Sequence, residues 1–171
     1  MDYFSRYVLS WLVSNSLESL FCLDVLDEAL LVLRPHIFHS DQGKQYVSIR
    51  FVDTLKERDI CISMSGKGRV FDNILAERLW RTVKYEEVYL REYRDGHDLI
   101  KSFRRYFDYY NNHRPHSSLS YRTPAEVYFE GRDSLCFASA VPSLRKANGQ
   151  DKSLQLTAYT LYKAKTGLDN G

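Results

Sequence analysis

Short apolar runs alternate with longer runs of helical spacing over the first 131 residues, and that order confines the chain to an α/β fold. Pro35-His36-Ile37-Phe38 and Ile60-Cys61-Ile62-Ser63-Met64 read as short strands. Tyr3 to Ser14 carries Tyr7, Val8, Leu9, Trp11, Leu12 and Val13 without a breaker, and reads as a further strand. Between that segment and Pro35, Leu17, Leu20, Phe21, Val25, Leu26, Leu30 and Leu33 recur at helical spacing. Asn15-Ser16 supplies the cap of that helix and Arg34-Pro35 its end. Tyr46 to Arg58 is expected to be helical, with Ile49, Val52 and Leu55 on the buried face. Asp98 to Asn111 is expected to be a long helix with Leu99, Ile100, Phe103, Tyr106, Phe107 and Tyr110 as its apolar part. Thr123-Pro124-Ala125-Glu126 has the form of a capped helix start, with proline at the first helical position.

The helix expected from Asn73 to about Tyr89, capped by Asp72, carries the chemistry. Leu75, Leu79 and Val83 form its apolar stripe, while Glu77, Arg81 and Lys84 fall on another stripe at i, i+4 and i+7. Asp41 follows directly on a strand, and Gly43 allows a tight turn after it. A carboxylate at a strand end and one on a helix can meet at one divalent ion, with the cations beyond holding phosphates. Such a set suits phosphoryl transfer on nucleic acid. The bland alternatives are a turn-capping Asp41, a solvent-facing Glu77 and a surface ion pair for Lys84 with Glu87 or Glu77. His39 and Trp80 read as structural, and His113, Arg114 and His116 as packing and turn residues.

The ordered set of motifs resembles the catalytic core of bacterial insertion-sequence transposases, a DDE-type core similar to that of retroviral integrases. Thirty-five residues separate Asp41 from Glu77, and Lys84 lies seven beyond the Glu. The other matches are Asp41-Gln42-Gly43, Ser63-Met64-Ser65, Asp72-Asn73, Tyr110-Asn111-Asn112-His113-Arg114-Pro115-His116 and Leu119-Ser120-Tyr121-Arg122-Thr123-Pro124-Ala125-Glu126. The resemblance implies a ribonuclease H-like fold, with Asp41 and Glu77 as catalytic residues binding Mg²⁺ or Mn²⁺. It implies that Lys84, Arg81 and Lys67 contact DNA, Lys67 from the basic loop Ser65-Gly66-Lys67-Gly68-Arg69. That loop has two glycines without the spacing of a nucleotide P-loop.

By the same resemblance, residues 1–131 are expected to be a partial integrase core lacking its first strand and most of its second. Asp2 then corresponds to a strand end rather than to the first catalytic Asp, and the chain is expected to be inactive alone. Residues 132–171 show no clear periodicity and are expected to be a poorly ordered appendage, with Leu154 to Tyr162 as a local strand at most. The expected partners are DNA and subunits of full-length transposase. The rival readings are a non-catalytic remnant that binds nucleic acid or transposase, and a relic without function.

Composition agrees with these expectations without deciding them. The net charge of +2 divides into −3 over residues 1–64, +4 over 65–122 and +1 over 123–171, a mildly basic middle that suits a polyanionic partner. Cys22, Cys61 and Cys136 are scattered, lack metal-site spacing and read as reduced, buried thiols. With no long apolar run and no secretory leader pattern, the expected location is the cytoplasm.

Overall fold

The structure is a computed structural model, and it describes residues 1–14, 19–32, 34–65, 74–131 and 155–157. The described elements are α1 (Ser19–Val32), β1 (Ile37–Ser40), α2 (Ile49–Lys56), β2 (Cys61–Met64), α3 (Ile74–Glu86), α4 (Gly96–Asn112), α5 (residues 124–131) and β3 (Gln155–Thr157). Short 3₁₀ turns at Val88–Leu90 and Ser117–Leu119 follow α3 and α4.

The sheet has the order β2-β1-β3 and is parallel throughout. Ile37 lies opposite Cys61 on one side and Gln155 on the other. The α2 helix makes the crossover between β1 and β2 that a parallel pair requires. His39 ties the same two strands through side chains. Its Nδ1 lies 3.0 Å from Ser63 Oγ and its Nε2 lies 3.1 Å from Ser65 Oγ. Both ring nitrogens are thereby engaged, which suits the structural role expected of this histidine. Residues 155–157 fall within Leu154 to Tyr162, expected to be a local strand at most; the rest of 132–171 lies outside the described residues.

Two hydrophobic clusters form. One gathers α1, β1 and α2 around Leu26, Phe38, Phe51 and Leu55. The other packs α3 on α4 through Ala76, Leu79, Val83, Leu99, Phe103 and Phe107. Full burial of each such Leu, Val or Phe contributes ~1.5–3 kcal/mol. Caps set the ends of two helices. Asp95 accepts the Asp98 amide at 2.8 Å, so α4 starts two residues earlier than Asp98. Thr123 and Glu126 exchange hydrogen bonds, Thr123 N–H donating to Glu126 Oε2 at 2.8 Å and Glu126 N–H to Thr123 Oγ1 at 3.3 Å, a reciprocal capping box.

Three local expectations are corrected. Residues 6–14 form no strand. Val8 instead donates its N–H to Asn111 Oδ1 at 2.9 Å and accepts from Asn111 Nδ2 at 3.0 Å, so one side-chain amide satisfies what a neighbouring strand would. The segment still lies between the clusters, with Leu9 packed on the first and Val8, Trp11 and Val13 on the second. In α2 the buried residues are Phe51 and Leu55, while Ile49 is 82% exposed. Phe51 wins because its ring meets Phe38 at 5.4 Å and Tyr46 at 5.3 Å. Cys22 is buried as expected, but Cys61 is exposed at the start of β2; Cys136 lies outside the described residues. No helix among the described residues is long and apolar enough to cross a membrane.

Candidate functional site

Asp41 leaves the end of β1 half-buried. Its Oδ1 accepts the Gly43 N–H at 2.9 Å, which fixes the carboxylate against the turn. A Cβ at position 43 would stand 2.9 Å from that oxygen and 2.6 Å from Gln45 Nε2, so a larger residue there would push the Asp41 and Gln45 side chains aside. Glu77 is exposed in the first turn of α3, with Ala76, Leu79 and Val83 buried on the opposite side and Leu75 half-buried. Arg81 is exposed and Lys84 is half-buried on the same helix. Lys67 and the expected cap Asp72 lie outside the described residues, as does Asn73.

Carboxylate oxygens are the hard donors that Mg²⁺ and Mn²⁺ accept, so Asp41 and Glu77 are chemically suited to such an ion. Among the described residues neither carboxylate is spent in an ion pair. Their number is small: among the described residues no group of three or more His, Cys, Asp or Glu side chains stands ready to hold a metal. Asp2 is engaged through one oxygen only, its Oδ1 being buried without a hydrogen-bond partner among the described residues. It is buried, and its Oδ2 accepts from Ser5 N–H at 2.7 Å and from Ser5 Oγ at 2.5 Å.

The far end of α3 is held by two carboxylates. Glu87 is buried and accepts from Ser102 Oγ and, at 3.0 Å, from Arg91 Nε. Glu86 grips Arg114 through a two-point contact, Nη2 to Oε1 at 2.6 Å and Nε to Oε2 at 2.9 Å. That bond keeps the Arg114 guanidinium protonated, raising its pKa. Tyr106 donates to Glu86 at 3.1 Å, and burial followed by the Glu86 charge raises its pKa well above the usual phenol value. His116 packs edge-on against Tyr110 at 4.9 Å between ring centres. Burial, then the Arg114 charge, lowers its pKa to about 4. Tyr110 is itself pushed up to about 12, chiefly by burial. Arg114 and His116 therefore have the packing role expected of them, clamping the loop after α4 onto α3.

The sequence reading missed a cleft on the neighbouring stripe of α3, lined by Arg78, Arg81 and Tyr85 from the helix together with Arg6 and Arg114. The spacing of Arg78, Arg81 and Tyr85 at i, i+3 and i+7 could have signalled a shared face. Nothing in the pattern could have brought Arg6 to it.

Comparison with known proteins gives the family of the chain. The chain matches the family described as Integrase core domain over residues 1–70, and a second family of the same description over residues 58–124. It is 34% identical over 129 residues to the transposase for insertion sequence element IS629 of Shigella sonnei, covering 74% of this chain and 44% of that protein. It is 36% identical over 129 residues to the putative transposase InsK for insertion sequence element IS150 of Escherichia coli (strain K12), covering 74% and 46%. With the transposase for insertion sequence element IS904 of Lactococcus lactis it shares 32% identity over 130 residues, covering 74% and 51%. The chain thus spans about half the length of the curated relatives it matches. Asp41 falls in the first matched family segment and Glu77 in the second, and the chain belongs to the integrase-core family of insertion-sequence transposases.

Proposed function

We propose that the chain serves DNA transposition, as the part of a ribonuclease H-like integrase core that supplies Asp41 and Glu77 to DNA strand cleavage and strand transfer. One observation carries the reading: two overlapping integrase-core matches, over residues 1–70 and 58–124, contain a strand-end Asp and an exposed helix Glu with thirty-five residues between them. In this reading Asp41 and Glu77 hold Mg²⁺ or Mn²⁺, and a bound ion would polarise the phosphodiester and lower the pKa of the attacking hydroxyl. Gly43 N–H keeps the Asp41 carboxylate oriented. Arg81 and Lys84, on the Glu77 side of α3, and Lys67 hold DNA phosphates. DNA and other transposase subunits are the partners. Residues 1–131 constitute the core portion and 132–171 an appendage to it.

The test is calorimetric titration with Mn²⁺ of the wild-type chain, Asp41→Asn and Glu77→Gln. Binding by the wild type that either substitution abolishes is expected. A wild type that takes up no Mn²⁺, or variants that bind it equally, would refute the metal assignment. A second reading, a non-catalytic DNA-binding remnant, draws on the absence of a three-donor group among the described residues. Salt-sensitive DNA binding without Mn²⁺ uptake would favour it.

A further inference from the structure

The cleft beside α3 has a volume of about 550 Å³ and brings four guanidiniums together, those of Arg6, Arg78, Arg81 and Arg114, with Glu86 as the one carboxylate in its lining. Asp41, Glu77 and Lys84 are not in its lining, but Arg78 and Arg81 are, so the cleft adjoins the Glu77 stripe of α3 and shares Arg81 with it. Its volume is within the ~300–1,000 Å³ range of cavities that take ligands.

The charges are unevenly compensated. Glu86 is committed to Arg114 through both oxygens. Arg6 emerges from a tight turn in which its own N–H donates to Asp2 O at 3.0 Å, and it is held over the Tyr3 ring at 5.7 Å. Among the described residues Arg78 and Arg81 make no ion pair. Arg81 lies instead over the ring of Tyr85 at 5.9 Å, and Tyr85 is 62% exposed as a residue. Burial, offset by nearby phenols and Asp2 and reinforced by the Arg78 charge, lowers the Arg6 pKa. Like charges gathered at one concavity repel in the free protein, and an anion seated among them relieves that repulsion.

We infer that this cleft is a binding site for a single-stranded segment of nucleic acid, with Arg6, Arg78 and Arg81 on its phosphates and an unpaired base against Tyr85. The inference rests on the reading of DNA as partner and extends the contact surface from Arg81 to Arg78, Tyr85 and Arg6. Planar guanidiniums match phosphate geometry better than point charges do. The adjoining aromatic ring supplies the sequence-tolerant stacking surface found in single-strand sites. A mononucleotide pocket would enclose its base; here Tyr85 is largely exposed, with Arg81 over its ring and Tyr89 at a right angle to it, which suits a strand passing through.

Fluorescence anisotropy of the 171-residue chain with a labelled single-stranded 20-mer and the matching duplex, across a salt series, tests it. Arg78 and Arg81 are exposed, so Arg78→Gln/Arg81→Gln leaves the core intact, and circular dichroism checks this. The double variant is expected to bind single strand about tenfold more weakly and to reduce the slope of log K against log[salt] by about 1.4, roughly 0.7 per phosphate contact. Lys101→Gln/Arg104→Gln removes two exposed charges from α4, away from the cleft, and should change the slope much less. Tyr85→Ala should weaken single-strand binding about tenfold while leaving duplex binding within twofold, and Tyr85→Phe should restore it. A wild type that binds neither probe would overturn the DNA reading itself. Binding that the Arg78/Arg81 variant retains with an unchanged slope would overturn the cleft and the Arg81 phosphate contact with it, while leaving DNA as the partner; Arg78→Gln alone, with the same readout, tests the cleft apart from Arg81. Equal losses on both probes in Tyr85→Ala would overturn the single-strand assignment.

Discussion

Replacing Asn111 by alanine should release the N-terminal segment from the body of the protein. The Asn111 amide makes both of its strong bonds to one backbone residue 103 positions away, accepting from Val8 N–H and donating to Val8 C=O. Val8 is 7% exposed, so water does not replace the lost partner. Each buried backbone group left unsatisfied costs ~1–3 kcal/mol, giving about 2–6 kcal/mol for the pair. That is a large part of the ~5–15 kcal/mol that stabilises a typical domain. In urea, a loss of ~3 kcal/mol with a slope of ~2 kcal/mol/M moves the midpoint down by ~1.5 M. Trp11 reports the local event, because its ring stacks on Phe107 at 5.2 Å and its fluorescence should shift as the segment loosens. Asn111→Asp should be no better than alanine, since a carboxylate can accept from Val8 N–H but cannot donate to its carbonyl. A midpoint within ~0.2 M of wild type for Asn111→Ala would refute the reasoning, because the segment would then be held by its side chains alone.

Two further outcomes are expected, beside the metal and strand-binding tests above. His116, with a pKa lowered to about 4 in the fold from the usual 6.5, is held neutral in the native state and gains its proton more readily on unfolding. Its contribution to stability is complete above pH 6.5 and is lost as the pH falls toward 4, so His116→Gln should show a smaller stability loss than wild type between pH 7 and 5; equal losses in paired urea melts would contradict this. Ending the chain at Gly131 removes β3 and strips the partner from Ile37, Phe38 and His39 along one edge of β1. Concentration-dependent association in light scattering is expected from such an edge, and a shortened chain as monomeric as the full one would count against β3 as its cover.

The local elements were legible because the forces that make them act within a turn or two. The four-residue spacing of Leu75, Leu79 and Val83 announces α3, and Thr123 with Glu126 announces α5 before any tertiary contact exists. The positions of Asp41 after a strand and Glu77 on a helix, with thirty-five residues between them, are properties of the chain alone. Where a local pattern permitted two answers, tertiary packing chose. Helical spacing in α2 allowed Ile49 or Phe51 to face inward, and the rings of Phe38 and Tyr46 selected Phe51. Residues 6–14 had every propensity for a strand, but a strand is defined by its neighbour, and Asn111 took the hydrogen bonds of Val8 instead. The arginine cleft belongs wholly to the tertiary structure. Arg6 reaches Arg78 only because a turn near the start of the chain packs beside α3 and the loop after α4, and no local periodicity links positions 6, 78 and 114. Propensity and spacing decay over a few residues, whereas a charged concavity depends on which surfaces the core brings side by side.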